Sequence, residues 1–457
     1  MSIKKSHWMG RRVLVVGLRM TGSAVARSFL ACGAEVTVVE ERPGADGYAD
    51  LRDELIAAGA KIIECPDDSE WSTLVSTADV VVPSPGIPPS HLVLIAALAL
   101  GVPVRGDIDL AVEDSAVPVV AVTGTNGKTT VTTLIAAMLE ANGVRAGAAG
   151  NIGWAVMDAQ QRAFDVLVVE VSSFQLHSTT ETFRPAVSVL LNIAEDHTDW
   201  HGSFSEYSRD KSRIFWYQGE RDLLVFNADD PLVAELALEA PGRSVSFSID
   251  PAAKSGYRIH HGDLITPDGD RIARAADLPL NAPHDLANAL AASAAALNSG
   301  ANLDSVHAAL LSFARLHHRV EPIGENQGVV FINDSKATNP HATITAVGGY
   351  KSCVLIAGGR NKGIDLSILR PLSNRLRGVI AIGEAAVEIE SVFDGVTQSR
   401  VATTMKDAVR YAAELAQPGD VVLLSPACAS FDWYTSYEER GDSFAAEVAA
   451  LIAGESS

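Results

Sequence analysis

Short apolar runs recur along the chain, each followed by a Gly-rich or polar turn and then a stretch with helical spacing. Arg12-Val13-Leu14-Val15-Val16, Glu35-Val36-Thr37-Val38-Val39 and Asp79-Val80-Val81-Val82 predict three strands before Gly106. Residues 118–122, 166–169, 187–191 and 223–226 predict a second group, and 329–332, 353–357, 379–382 and 421–424 a third. Most of these runs are apolar without alternation, as parallel strands covered on both faces require. Strands alternating with helices point to an α/β chain. The pattern divides it into three domains, 1–106, 107–315 and 316–457, each a mostly parallel sheet with helices. An Ala-rich helix is expected over 287–297. The notable polar residues fall just after strand ends, where open α/β sheets bind ligands.

Composition narrows the partners. The 457 residues carry a formal net charge of −20, which argues against nucleic acid or an anionic membrane. A small anionic ligand stays open, because backbone N–H groups and single cations hold phosphates inside acidic proteins. Cys32, Cys65, Cys353 and Cys428 lie far apart, which predicts free thiols in a reducing compartment and no zinc site. The stretch from Leu92 to Leu100 is about half of what a membrane span needs. The basic start, Met1-Ser2-Ile3-Lys4-Lys5, runs into His7-Trp8 and two arginines, and the next apolar run reads as a strand, not a signal segment. A cytoplasmic protein is expected.

The first candidate chemistry is Thr123-Gly124-Thr125-Asn126-Gly127-Lys128-Thr129-Thr130, between a strand ending at Val122 and a helix starting about Thr129. That helix carries Val131, Leu134, Ile135, Met138 and Leu139 on one face, and Gly143 is its expected stop. Glycines let backbone N–H groups approach phosphate oxygens, and the helix start adds partial positive charge. Lys128 would add a full charge and the Thr129 hydroxyl could ligate Mg²⁺. The loop is a shorter variant of the common pattern, since its first glycine would fall at Val122.

Glu170, ending a strand, suits a hard cation. His197 and His201 are spaced i, i+4, but no His-Glu-x-x-His exists, so zinc is disfavoured. His201 is read as structural and His197 as the metal or substrate contact. Lys211, taken alone, would be a solvated surface lysine. Gly17-Leu18-Arg19-Met20-Thr21-Gly22, with Glu40 ending the next strand, approximates a dinucleotide fingerprint. Arg19 stands where the second glycine belongs, which disfavours NAD. A nucleotide-like ligand held differently fits, with Ser84-Pro85-Gly86 as a second loop.

Further motifs follow in order: Glu-Val-Ser-Ser-Phe-Gln-Leu at 170–176, Asn-Ile-Ala-Glu-Asp-His at 192–197, His318-Arg319, Asn-Asp-Ser-Lys-Ala-Thr-Asn at 333–339 and Ser-Pro-Ala-Cys-Ala-Ser at 425–430. With the phosphate loop, they make essentially the whole chain resemble a Mur ligase, most closely the member that adds D-glutamate. The resemblance implies a Rossmann-like N-terminal domain, a P-loop central domain and a Rossmann-like C-terminal domain. It implies that ATP phosphorylates the alanine carboxylate of UDP-N-acetylmuramoyl-L-alanine, and that the amine of D-glutamate attacks the acyl phosphate, in cytoplasmic peptidoglycan-precursor synthesis.

Residue roles carried over by the resemblance are these. Gly124, Thr125, Asn126, Gly127, Lys128, Thr129, Thr130, Asn151 and Asn288 face ATP, with Arg319 and Asp334 reaching it from the third domain. Thr129 and Glu170 hold Mg²⁺, and His197 and Lys211 a second ion, with Lys211 as an anionic carbamate. Lys128, Glu170, His197 and Lys211 form the catalytic set. Met20, Thr21, Glu40, Arg42, Ser84 and Gly86 meet the UDP-sugar. Lys336, Thr338, Lys362, Ser430, Phe431 and Tyr437 meet D-glutamate. A monomer closing around its substrates is implied. Arg19, Asp285 and Tyr437 depart from the family pattern, where glycine, asparagine and phenylalanine are familiar. The rival readings are a related ligase for another amino acid, a P-loop regulatory or transport ATPase, and an NAD-dependent oxidoreductase.

Overall fold

The computed structural model describes residues 5–44, 47–113 and 115–454; the start of the basic N-terminal run, residues 1–4, lies outside them. The chain forms two compact units, Met1–Ile193 with Ser205–Phe313, and Ala194–Phe204 with Ala314–Ser457. The first unit holds two sheets and the second holds one.

The first sheet comprises β1 (Arg12–Val16), β2 (Glu35–Glu40), β3 (Lys61–Glu64) and β4 (Val80–Pro83), all parallel, in the order β3-β2-β1-β4. The three expected strands are present. The fourth, β3, is four residues long with lysine and glutamate at its ends, too short for the apolar pattern to mark it.

The second sheet has nine strands: β5 (Val119–Thr123), β6 (Ala146–Gly150), β7 (Val166–Glu170), β8 (Val187–Leu190), β9 (Leu223–Asn227), β10 (Arg243–Ser248), β11 (Tyr257–His260), β12 (Asp263–Ile265) and β13 (Arg271–Arg274). The order is β13-β12-β11-β10-β9-β8-β5-β7-β6, parallel except where β11, β12 and β13 pair antiparallel. β5 lies inside this sheet, between β8 and β7, and every residue of it is buried. The carboxyl ends of β5, β7 and β8 therefore open side by side, where Gly124, Glu170 and Asn192 lie.

The third sheet comprises β14 (Glu321–Asn326), β15 (Val329–Asn333), β16 (Cys353–Gly358), β17 (Leu376–Ile382), β18 (Ser399–Val401) and β19 (Val421–Ala427), in the order β14-β15-β19-β16-β17-β18. Only the β14–β15 hairpin is antiparallel. Alternate residues of β16 face two separate apolar layers: Cys353, Leu355 and Ala357 one, Val354 and Ile356 the other. That two-sided burial explains why the run carries no polar alternation.

In the first unit one apolar core continues from the first sheet and its helix Met20–Ala31 (Val13, Val15, Phe29) to one face of the second sheet and the helices on it (Val169, Leu176, Phe215). The other face of the second sheet packs the helices Lys128–Ala141 and Pro283–Leu297, whose alanines allow close approach.

Candidate active site

The phosphate loop leaves β5 at Thr123 and enters the helix Lys128–Ala141, one residue earlier than the sequence pattern suggested. Gly127, the residue before that helix, sits at φ +84°, and a Cβ there would come within 2.6 Å of the Asn288 Oδ1. A Cβ on Gly124 would stand 2.9 Å from the Leu191 Cβ. Close approach thus requires glycine at both places, and at Gly127 the left-handed backbone requires it as well. Asn192 braces the loop at three points: its carbonyl accepts from Thr125 N–H at 2.8 Å, its Oδ1 accepts from Asn126 N–H at 2.8 Å, and its Nδ2 donates to the Asn126 carbonyl at 3.1 Å. The Lys128 ammonium donates to the carbonyls of Gly124 at 2.8 Å and Thr125 at 2.9 Å, which keeps its charge over the loop. Thr129 and Thr130 lie in the first turn of the helix. Asn192 was legible only as part of a motif; its bracing role depends on β8 ending beside β5.

Glu170 closes β7, with its backbone paired across Val122 of β5, and it is buried. Its Oε1 accepts from Asn151 Nδ2 at 3.0 Å, while its Oε2 is buried with no hydrogen-bond donor. An orphaned buried carboxylate oxygen is costly unless something positive meets it. Oxygen donors from Glu170 and from Thr129 fit a hard divalent cation in chemistry. Lys211 lies on the helix Phe204–Trp216 and is 1% exposed, so the plain reading of a solvated surface lysine is corrected. Its Nζ donates to the Gly124 carbonyl at 2.9 Å and lies 4.6 Å from the centre of the Tyr207 ring. The Tyr207 hydroxyl in turn shares a 3.0 Å hydrogen bond with Thr125 Oγ1.

The loops after β1, β2 and β4 form a second cluster in the first unit. A Cβ on Gly22 would lie 1.9 Å from the Gly17 carbonyl oxygen, so the helix Met20–Ala31 can start here only with glycine at that place. Arg19 is the residue before this helix and is exposed, as is Met20; Thr21 is half-buried. The buried Glu40 spends its two oxygens on backbone, accepting from Leu18 N–H at 2.6 Å and Arg42 N–H at 2.7 Å. Ser84 Oγ donates to the Gly17 carbonyl at 3.2 Å, and space beside Gly86 is open. Met20, Thr21, Glu40, Arg42, Ser84 and Gly86 are thereby gathered on neighbouring strand ends.

The second unit gathers the remaining candidates. Asp334 follows β15 and accepts from Val320 N–H at 3.2 Å and Ser425 Oγ at 2.9 Å. Burial pushes its carboxyl up to about 7, although the Ser425 and Val320 hydrogen bonds and the charges of Arg319 and Arg315 pull the other way. Lys336 places its Nζ 3.6 Å from the centre of the Tyr437 ring. Thr338 N–H bonds the Lys336 carbonyl at 2.8 Å. Lys362 Nζ meets Asp196 Oδ1 at 2.9 Å. Ser430 is buried, whereas its neighbour Phe431 is 60% exposed. His197 precedes a short helix at φ +53°, and His201 is buried edge-on against Trp200.

Arg440 escaped the sequence reading. It is buried on the helix Tyr437–Ala453 and donates to Ser335 Oγ at 3.0 Å, the Ser335 carbonyl at 2.8 Å and the Cys428 carbonyl at 3.1 Å. Burial lowers it to about 10. It fastens the Lys336 and Ser430 loops to one another, and nothing in its local sequence announces that. All four cysteines are free thiols, and no described helix is long and apolar enough to cross a membrane.

Residues 11–106 match the profile described as Mur ligase MurD-like, N-terminal domain; 122–296 match the Mur ligase middle domain; 318–428 match the Mur ligase, glutamate ligase domain. The chain is 41% identical to the UDP-N-acetylmuramoylalanine–D-glutamate ligase of Frankia casuarinae, over 97% of this chain and 95% of that protein. It is 40% identical to the protein of the same name from Pelotomaculum thermopropionicum, over 97% and 98% respectively. Among solved structures, MurF from Acinetobacter baumannii aligns with a TM-score of 0.59 at 18% identity, covering 93% of this chain and 89% of that one, a likeness of fold.

Proposed function

This chain belongs to the Mur ligase family, and from that premise we propose that it joins D-glutamate to UDP-N-acetylmuramoyl-L-alanine with ATP, forming ADP and phosphate. The observation that carries the reading is the Asn192-braced phosphate loop with the orphaned Glu170 oxygen beside it. A loop of this kind binds the phosphates of a nucleotide. Two near full-length relatives, both named for one reaction, support the choice of substrates.

In this reading the γ-phosphoryl group passes to the alanine carboxylate, as a carboxylate O–P bond forms and the bond to ADP breaks. The D-glutamate amine then attacks the acyl carbon, the C–N bond forms, phosphate leaves and a proton is lost. The backbone N–H groups of 124–130 and the Lys128 ammonium stabilise charge on the transferring group. Asn151 and Asn288 line the nucleotide side, and Arg319 and Asp334 are the nucleotide residues of the second unit. Met20, Thr21, Arg42, Ser84 and Gly86 take the UDP-sugar, with Glu40 holding their loops in place. Lys336, Thr338, Lys362, Ser430, Phe431 and Tyr437 take D-glutamate. Thr129 and Glu170 would hold Mg²⁺, which supplies charge neutralisation at the phosphates. His197 and a carbamylated Lys211 are the proposed residues for a second ion. The enzyme works as a cytoplasmic monomer.

The test is ADP and phosphate release by purified protein with each substrate omitted in turn. Release that requires both UDP-N-acetylmuramoyl-L-alanine and D-glutamate is expected. Preference for L-glutamate would overturn the acceptor assignment, and steady ATP turnover with no amino acid would favour the ATPase reading.

A further inference from the structure

The pair Asp196–Lys362 reaches beyond the residues assigned above. Lys362 is an acceptor-binding residue in the proposed function, and the inference rests on that reading. Its ammonium meets Asp196 Oδ1 at 2.9 Å, with the lysine side chain 14% exposed and the aspartate 6%. The other Asp196 oxygen accepts from Asn339 Nδ2 at 3.2 Å, a buried contact. Asn339 is fixed in turn: its Oδ1 accepts from Ala342 N–H at 2.9 Å and so caps the helix Pro340–Gly348, whose first residue is proline. The series therefore runs from a helix start, through an amide and a carboxylate, to an ammonium.

We propose that Asp196 is a positioning residue for the acceptor: held by Asn339, it aims the Lys362 ammonium at a carboxylate of the incoming dicarboxylic amino acid. A lysine has a flexible four-carbon stem and three donors. One donor on Asp196 fixes the stem and leaves the other two for substrate. An unpaired ammonium this poorly exposed would instead be a burden on the fold. The alternative role for Asp196 is a plug that occupies the lysine until a ligand displaces it. Asn339 argues against that, because its amide is oriented by the helix cap and holds the carboxylate from the far side. A fixed carboxylate beside an ammonium also suits a zwitterion, which brings charges of both signs.

The experiment uses the full-length enzyme and steady-state kinetics in each substrate. Asp196→Asn is expected to raise the KM for D-glutamate roughly 10- to 100-fold, the range for losing a group that orients a ligand-binding side chain. The KM values for ATP and the UDP-sugar, and the Mg²⁺ dependence, are expected to hold. Asp196→Glu should restore part of the loss. Asp196→Asn combined with Lys362→Met should be no worse than Lys362→Met alone, since the aspartate acts through the lysine. A D-glutamate KM that is unchanged or lower in Asp196→Asn overturns the proposal, as does a shifted Mg²⁺ dependence, which would place the effect at His197. If Lys362→Met leaves the D-glutamate KM unchanged, the acceptor assignment of Lys362 has failed, and this inference with it. Should Asp196→Asn not fold, Asn339→Ser decides: serine keeps the helix cap and removes the Nδ2 donor. A raised D-glutamate KM supports the relay, and an unchanged one overturns it.

Discussion

Lys211 and Gly124 are joined by a hydrogen bond from the lysine Nζ to the glycine carbonyl at 2.9 Å, although 87 residues separate them. The bond ties the helix Phe204–Trp216 to the phosphate loop and brings the nitrogen of a buried lysine to the carboxyl end of β5. A bare ammonium would repel a metal ion here, whereas a carbamate, formed as the neutral amine adds to CO₂ and releases a proton, would offer it oxygen. Lys211→Ala should lower kcat by roughly 100-fold, at the upper end for groups that support a metal site. Added acetate should restore part of the rate by supplying a carboxylate in the space the alanine leaves. Absence of rescue across a wide acetate range would remove the carbamate from the account.

Gly127→Ala tests the loop from the opposite side. The new methyl would face Asn288 Oδ1 at 2.6 Å, and the backbone is already at φ +84°. Together the clash and the unfavourable backbone conformation should cost about 1–3 kcal/mol at the loop. ATP affinity, followed by calorimetry, is expected to fall sharply while the residues proposed for D-glutamate in the second unit keep their environment. Retained ATP affinity would mean that the loop binds its phosphates in another arrangement.

Asp334 gives the fold a pH signature. Its carboxyl stands at about 7 against an ordinary 3.8, chiefly because burial disfavours the charge. A folded-state value above the unfolded one means that the protonated form is favoured by folding. That contribution is complete below about pH 4 and is lost as pH rises through about 7. Asp334→Asn keeps a neutral group of similar shape and removes the loss. Urea denaturation at several pH values should show the variant gaining on the parent protein between about pH 4 and 7, by up to about 4 kcal/mol, and level above that. A difference independent of pH would show that the carboxyl is not held protonated.

The legible parts of this chain are those whose signal is local. Thr123 to Thr130 reads as a phosphate loop because strand, glycines, lysine and helix occupy one short segment. The fully buried runs at β5, β7 and β16 read as strands because both faces need apolar side chains. β6 is built only of alanine and glycine, so no hydrophobic pattern marks it. β11 to β13 form a small antiparallel extension whose short strands carry histidine, aspartate and arginine. Lys211 looked like surface because Arg209, Asp210 and Arg213 surround it in sequence, while the helix turns Tyr207, Asp210 and Lys211 inward. Asn192, Arg440 and Asp196 act through partners 66, 105 and 166 residues away, and spacing along a chain carries no such information.

Tyr437 departs from the phenylalanine familiar at this place, and the structure separates the two things a tyrosine brings. Its ring face receives the Lys336 ammonium at 3.6 Å from the ring centre, an interaction that phenylalanine also offers. The hydroxyl is what the departure adds. If the ring face is what matters, Tyr437→Phe should leave the D-glutamate KM unchanged, and Tyr437→Leu should raise it about 2- to 30-fold, the equivalent of ~0.5–2 kcal/mol for a cation over an aromatic face. The backbone carbonyl of Tyr437 also accepts from Ser335 Oγ at 2.8 Å, and both substitutions keep that bond, so a difference between them reports on the side chain alone. A KM raised as much by phenylalanine as by leucine would assign the binding to the hydroxyl and make Tyr437 a specificity residue in its own right.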